Sequence, residues 1–228
     1  MKYFIANWKA NKNLEETRSW VNDFLKNIEQ NPQTKEKIDN NRIKIILCPP
    51  FSLIAPLKKM LEGQKNISVG SQDVSLVEGG TYTGEVTAHS LESLAEYTII
   101  GHSERKKFLR ETDGDVLKKY ENARKHDIEP IYCIAQSTAS YPESLRFLCY
   151  EPPTAISTGD GRGKNETLET ILEAKKQLKV RQEIVFIYGG SVNKDNAAKY
   201  LSSKEIDGFL SGGASLDPFH FYQIISFA

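Results

Sequence analysis

The chain has 228 residues, of which 39% are hydrophobic and 26% charged, and its 30 basic and 30 acidic side chains cancel to a formal net charge of +0. That balance excludes a global field able to gather nucleic acid or an anionic membrane surface, so any anionic substrate must be captured by local groups. No stretch approaches membrane-spanning length, and MKYFIANWK is too short an apolar run for a signal peptide, so a cytoplasmic location is expected. Cys48, Cys133 and Cys149 lie far apart among apolar neighbours. They read as buried small hydrophobes rather than a disulfide framework or a metal cluster.

In chain order, short apolar runs rich in β-branched and aromatic residues fall at 3–8, 43–48, 67–71, 97–101, 131–134, 146–150, 184–188 and 206–210. Near-continuous apolar runs suit strands covered on both faces, as in a parallel sheet. Helical patterns separate most of them. Asn13 is placed to cap a helix with Glu16 three residues later, and Leu14, Val21, Phe24, Leu25 and Ile28 then share a face. Val116, Leu117, Tyr120 and Ala123 repeat the pattern over 115–125, and Leu168, Ile171, Leu172 and Leu178 repeat it over 166–178. The polar stretch 29–42 reads as a solvated connection at the bottom of the fold. Eight strand–helix alternations predict an α/β fold closed as a single (β/α)8 barrel over residues 1–228. A doubly wound open sheet is the alternative, though no GxGxxG follows the first strand. Only AQSTASYPESL separates the fifth and sixth strands, and it contains Pro142. That is near the minimum for a parallel crossover, so the fifth helix is expected to be shortened or missing.

Chemistry in such a barrel sits where the strands end. The strand ends supply Asn7 and Lys9, then His102, Ser103 and Glu104, then Glu151, Tyr188 and Gly189–Ser191, and finally Gly212 and Gly213. Singly, Lys9 reads as a surface lysine, His102 as a structural histidine and the glycine pairs as tight turns, while Glu151 could pair with an arginine. Together they place a base, an imidazole, a cation and two glycine-rich turns at one rim. Unhindered backbone N–H groups after the seventh and eighth strands, with the Ser191 hydroxyl, suit a phosphate.

The motifs NWK (7–9), TGEV (83–86), GHSER (101–105), YEP (150–152), YGGSV (188–192) and DGFLSGGASL (207–216) resemble triosephosphate isomerase in wording, order and spacing from first strand to last helix. The resemblance implies a TIM barrel that interconverts dihydroxyacetone phosphate and D-glyceraldehyde 3-phosphate through an enediolate, with no metal and no organic cofactor. It assigns Glu151 as the base, His102 as a neutral electrophile, Lys9 as the cation facing the enediolate and Asn7 as a supporting donor. Ser157, Ser191, Gly212 and Gly213 would hold the phosphate. Glu104 would be a buried carboxylate steadying Lys9, and Ser103 and Tyr188 would support the site.

By the same resemblance, the segment PPTAISTGDG after Glu151 is a lid that closes over the substrate. It departs from the family at Pro153, at Thr154, where tryptophan is usual, and at Ser157, where glycine is usual. CIAQ (133–136) replaces CIGE. The long segment 72–86, carrying Thr83, Gly84 and Glu85, resembles the loop that family members insert into a second subunit. A homodimer is therefore expected, with a tetramer also open. Two other readings remain: a phosphate-binding barrel with little catalysis, and an isomerase of longer phosphosugars on the same fold.

Overall fold

The computed structural model describes residues 1–152, 154 and 166–228. Its strands are β1 (Lys2–Asn7), β2 (Ile43–Cys48), β3 (Ile67–Ser71), β4 (Tyr97–Ile100), β5 (Glu129–Ile134), β6 (Phe147–Tyr150), β7 (Val185–Tyr188) and β8 (Gly208–Ser211). All neighbouring pairs are parallel and in sequence order. The last strand pairs back onto the first, Phe4 opposite Phe209, which closes the barrel and rules out the open sheet.

Between the strands lie α1 (Leu14–Glu29), α2 (Pro32–Asp39), α3 (Ile54–Met60), α4 (Ala88–Leu91), α5 (Ser103–Leu109), α6 (Asp113–Lys125), α7 (Leu168–Gln177), α8 (Ala197–Leu201) and α9 (Pro218–Ser226). The expected cap at Asn13 forms a full capping box with Glu16, and Thr112 with Asp115 forms another at the start of α6. Leu14 and Leu117, placed on buried faces by the sequence pattern, are exposed. Residues 29–42 also differ from expectation, because they contain α2. Pro32 at its first turn tolerates the helical start, and only Thr34 and Ile38 are buried, so its pattern is almost wholly polar.

Side-chain alternation divides the core in two. Ile5, Ile46, Cys48, Ile99, Ile131, Cys133, Phe147, Cys149, Ile187 and Leu210 fill the barrel interior. The alternate residues, such as Phe4, Leu47, Ile100, Leu148, Phe186 and Phe209, face the helices. All three cysteines are free and buried in the inner set.

The inner set also aims the site. Continuing the period of two beyond Ile5 points Asn7 and Lys9 inward, and continuing it beyond Phe147 and Cys149 points Glu151 inward. The ladder extends that far: the Glu151 N–H donates to the Ile134 carbonyl at 2.8 Å, and the Gly189 N–H donates to the Tyr150 carbonyl at 2.8 Å.

Outside β1, Trp8 and Trp20 meet edge to face at 4.9 Å between ring centroids, Trp20 stacks on Phe24 at 4.7 Å, and Phe24 meets Phe221 at 5.7 Å. The Trp20 indole N–H donates to the Ser215 carbonyl at 3.1 Å. This cluster fastens β1 and α1 to α9 and to the loop after β8. Aromatic pairs of this kind each add about 0.5–1.5 kcal/mol beyond their area burial.

Residues 135–146, between β5 and β6, form turns and no helix, as the spacing predicts. The buried Leu145 joins the outer core in that place, and Ala139 and Tyr141 pack against that core.

Candidate active site

Glu151 is buried at the end of β6, directly across from His102. Its Oε1 lies 3.1 Å from His102 Nε2, and its Oε2 accepts the Ser103 N–H at 3.0 Å. Burial alone would raise the carboxyl's pKa. The facing imidazole and the Ser103 N–H outweigh burial and hold it below the ordinary glutamate value. The group is therefore an ionised base at neutral pH.

His102 closes β4 and caps α5. Its Nδ1 accepts the Glu104 N–H at 3.2 Å. Burial lowers the ring's pKa and the Glu151 carboxylate raises it, leaving the value above that of an ordinary histidine. The Glu104 N–H opposes this rise, since a proton on Nδ1 would meet another hydrogen head-on. That contact is local and directional, and it sets the tautomer of the neutral ring, with its proton on Nε2, facing Glu151.

Lys9 reaches into the same space from β1. Its Nζ bonds Glu104 Oε1 at 2.6 Å, and Glu104 is half-exposed, not buried as the family resemblance implied. The Lys9 backbone has φ 52, a region a non-glycine residue seldom occupies. Two contacts hold it there, and a third anchors the Gln72 amide that makes one of them. Its N–H donates to Asn7 Oδ1 at 3.0 Å, its carbonyl accepts Gln72 Nε2 at 2.9 Å, and the same amide donates to the Cys48 carbonyl at 2.9 Å. Gln72 was not legible as part of the site; its only signal was being the first polar residue beyond β3.

The glycines are explained by what passes over them. A Cβ on Gly212 would lie 2.9 Å from Lys9 Cε, and one on Gly189 would lie 2.8 Å from Glu151 Cγ. Gly190 lies under the Tyr188 hydroxyl, so Tyr188 supports that turn from the outer side of the barrel. Lys9, His102, Glu151, Gly189–Asn193 and Leu210–Ala214 together line one cavity of about 210 Å³. Ser191, Gly212 and Gly213 are thus brought to the same cavity as the base. Leu210, Ser211 and Asn193 line it too, although strand-end reasoning did not single them out. Ser157 lies outside the described residues; Thr154 is described, and its hydroxyl bonds the Glu166 carboxylate.

A buried base, a fixed imidazole, a cation and a glycine-floored cavity suit proton transfer next to a carbonyl. Comparison with known proteins agrees with that chemistry. The chain matches the family model for triosephosphate isomerase over residues 2–146 and 143–228. It is 36% identical to a triosephosphate isomerase of Nostoc punctiforme, covering 99% of this chain and 98% of the relative. Its identity is 32% both to that of Alkaliphilus oremlandii, covering 97% of each chain, and to that of Aquifex aeolicus, covering 98% of each.

The chain belongs to the triosephosphate isomerase family. Its two matched stretches meet at residues 143–146, inside the connection that lacks a helix. The alignment with the Nostoc triosephosphate isomerase spans 248 positions against the 228 residues of this chain, so the relative carries residues that are absent here.

The long loop after β3 is pinned at one end and open at the other. Asp73 is buried and pairs with Lys119 Nζ at 2.7 Å and Arg105 at 2.8 Å, while Glu111 also contacts Lys119. Further along, Tyr82, Thr83, Gly84 and Glu85 are exposed, and the Glu85 carboxylate accepts from the Ser75 hydroxyl.

Proposed function

We propose that the chain is an intramolecular oxidoreductase, a triosephosphate isomerase interconverting dihydroxyacetone phosphate and D-glyceraldehyde 3-phosphate. The observation that carries this reading is Glu151 facing His102 Nε2 at 3.1 Å within a cavity shared with Lys9 and the glycine turns after β7 and β8. The ionised Glu151 takes a proton from one carbon of the triose and returns it to the next. His102, with its proton on Nε2, donates to the carbonyl oxygen as charge develops there, and the Lys9 ammonium stabilises the enediolate. In the resting arrangement, that Nε2 proton is directed at Glu151. Productive binding therefore requires the substrate oxygen to take over Nε2 and the carboxylate to turn toward carbon.

Asn7 holds the Lys9 backbone, and Ser191, Gly212 and Gly213, with Ser157, hold the phosphate. Backbone N–H groups with no side chain in the way can approach its oxygens closely. Glu104 steadies Lys9 in the absence of substrate and releases it to the anion. Glycolysis and gluconeogenesis are the pathways in which such a reaction serves.

We further read residues 1–228 as one domain, because the last strand completes the barrel begun by the first. Among the described residues, no helix is long and apolar enough to cross a membrane. The three free, buried thiols fit a reducing cytoplasm. The exposed loop tip with Tyr82, Thr83 and Glu85 supports a homodimer in which it enters the partner.

A coupled assay with triose and pentose phosphates tests the reaction. Turnover of the triose with none of the pentose is expected. Phosphate-analogue binding without isomerisation would instead favour a binding module.

A further inference from the structure

On the face of the barrel opposite the active site, the structure brings two imidazoles and a carboxylate together. His89 lies in α4, Glu92 follows that helix, and His126 follows α6. Both segments end just before their strands begin, at Tyr97 of β4 and Glu129 of β5, whereas His102 stands at the other end of β4. β4 and β5 pair directly, so the two helix ends are neighbours.

Glu92 Oε2 lies 3.3 Å from His89 Nδ1, and its Oε1 contacts His126 Nδ1. One ligand atom from each residue falls within 4.8 Å of the others. The two imidazole rings lie 5.6 Å apart between centroids, tilted by 49°. Bonds of about 2.0–2.1 Å in a tetrahedral zinc site place ligand atoms roughly 3.3 Å apart, so small side-chain rotations bring this cluster to coordinating distance.

We propose that His89, Glu92 and His126 form a surface site for a divalent transition-metal ion of the zinc type. Two nitrogens and one oxygen suit zinc, nickel or copper, while calcium and magnesium prefer all-oxygen shells. The ion replaces the protons now shared between the imidazoles and the carboxylate. It clips α4 to the end of α6, and so steadies the exit of the 72–87 segment, which leads directly into α4. The fourth coordination position is left to water.

The test is calorimetric titration of the full-length protein with zinc chloride, with thermal unfolding followed at the same zinc concentrations. The wild type is expected to take up one equivalent and to unfold at a higher temperature as zinc is added. The double variant His89→Ala/His126→Ala is expected to lose that equivalent. His89→Ala alone, at a side chain 71% exposed, folds in any case. It is expected to weaken binding at least about tenfold, the lower end of what even an outer-shell partner costs. Glu151→Gln, at the other rim, should bind zinc as the wild type does. Two results overturn the proposal: no stoichiometric uptake by the wild type, or undiminished uptake by His89→Ala.

Discussion

The first and fifth strands leave the barrel at the same rim, yet the segments that follow them are built to different standards. After β1, Asn7 and Gln72 hold Lys9 at a positive φ, and the Trp8–Trp20–Phe24–Phe221 cluster backs the strand. After β5, the chain crosses to β6 through turns alone. Ser137 Oγ donates to Gln177 Oε1 at 2.6 Å, the Tyr141 hydroxyl donates to the Lys179 carbonyl at 3.1 Å, and Tyr120 and Ser144 share a hydrogen bond at 2.8 Å. The β5–β6 ladder is nevertheless complete, from Ile131 opposite Phe147 to Ile134 opposite Tyr150. Closure of the barrel rests on the strand ladder and the two apolar layers. An outer helix can be dispensed with where its connection carries no catalytic group, provided that residues such as Leu145 cover the strands.

If that contrast is right, substitutions behind β1 should cost far more than substitutions in the β5–β6 connection. Trp20→Ala removes the centre of the aromatic cluster and is expected to cost about 3–5 kcal/mol in denaturant unfolding. A loss below about 1 kcal/mol would mean that the cluster does not hold the first unit. Lys9→Met keeps the stem and removes the charge. Turnover is expected to drop on the order of 10²–10³-fold, as when a preorganised electrostatic donor is lost, with the unfolding midpoint nearly unchanged.

A smaller effect is expected at Gly212→Ala, whose Cβ would stand 2.9 Å from Lys9 Cε. Lys9 is flexible enough to shift by a few tenths of an ångström, so a loss of about tenfold is expected in kcat/KM, short of the hundredfold that a full 1 Å misplacement can cost. At the bottom of the scale, Ser137→Ala in the fifth connection should change stability by no more than about 0.5 kcal/mol and leave turnover alone. A large effect there would show that this connection does carry the site.

Much of the barrel was legible because each strand is buried on both faces and so reads as an unbroken apolar run. The missing fifth helix was legible for a simpler reason: the connection is too short and holds a proline. What escaped was structure that depends on distant partners. α2 is polar almost throughout and buries only two side chains, so no hydrophobic period announces it. Asp73 looks like an ordinary loop aspartate until Arg105 and Lys119 close on it. At the site, Glu151, His102 and Lys9 were legible as strand-end residues converging on one rim. The exposure of Glu104 and the grip of Gln72 on Lys9 were not, since both follow from how three separate loops meet.

The most direct measurement is turnover of Glu151→Gln on dihydroxyacetone phosphate in a coupled assay, with circular dichroism and unfolding recorded on the same preparation. Replacing the base with an isosteric amide is expected to lower kcat on the order of 10²–10⁴-fold, the usual contribution of a positioned acid–base group, in a protein that still folds. Near-wild-type turnover in a folded variant would contradict the assignment of Glu151 as the group that moves the proton.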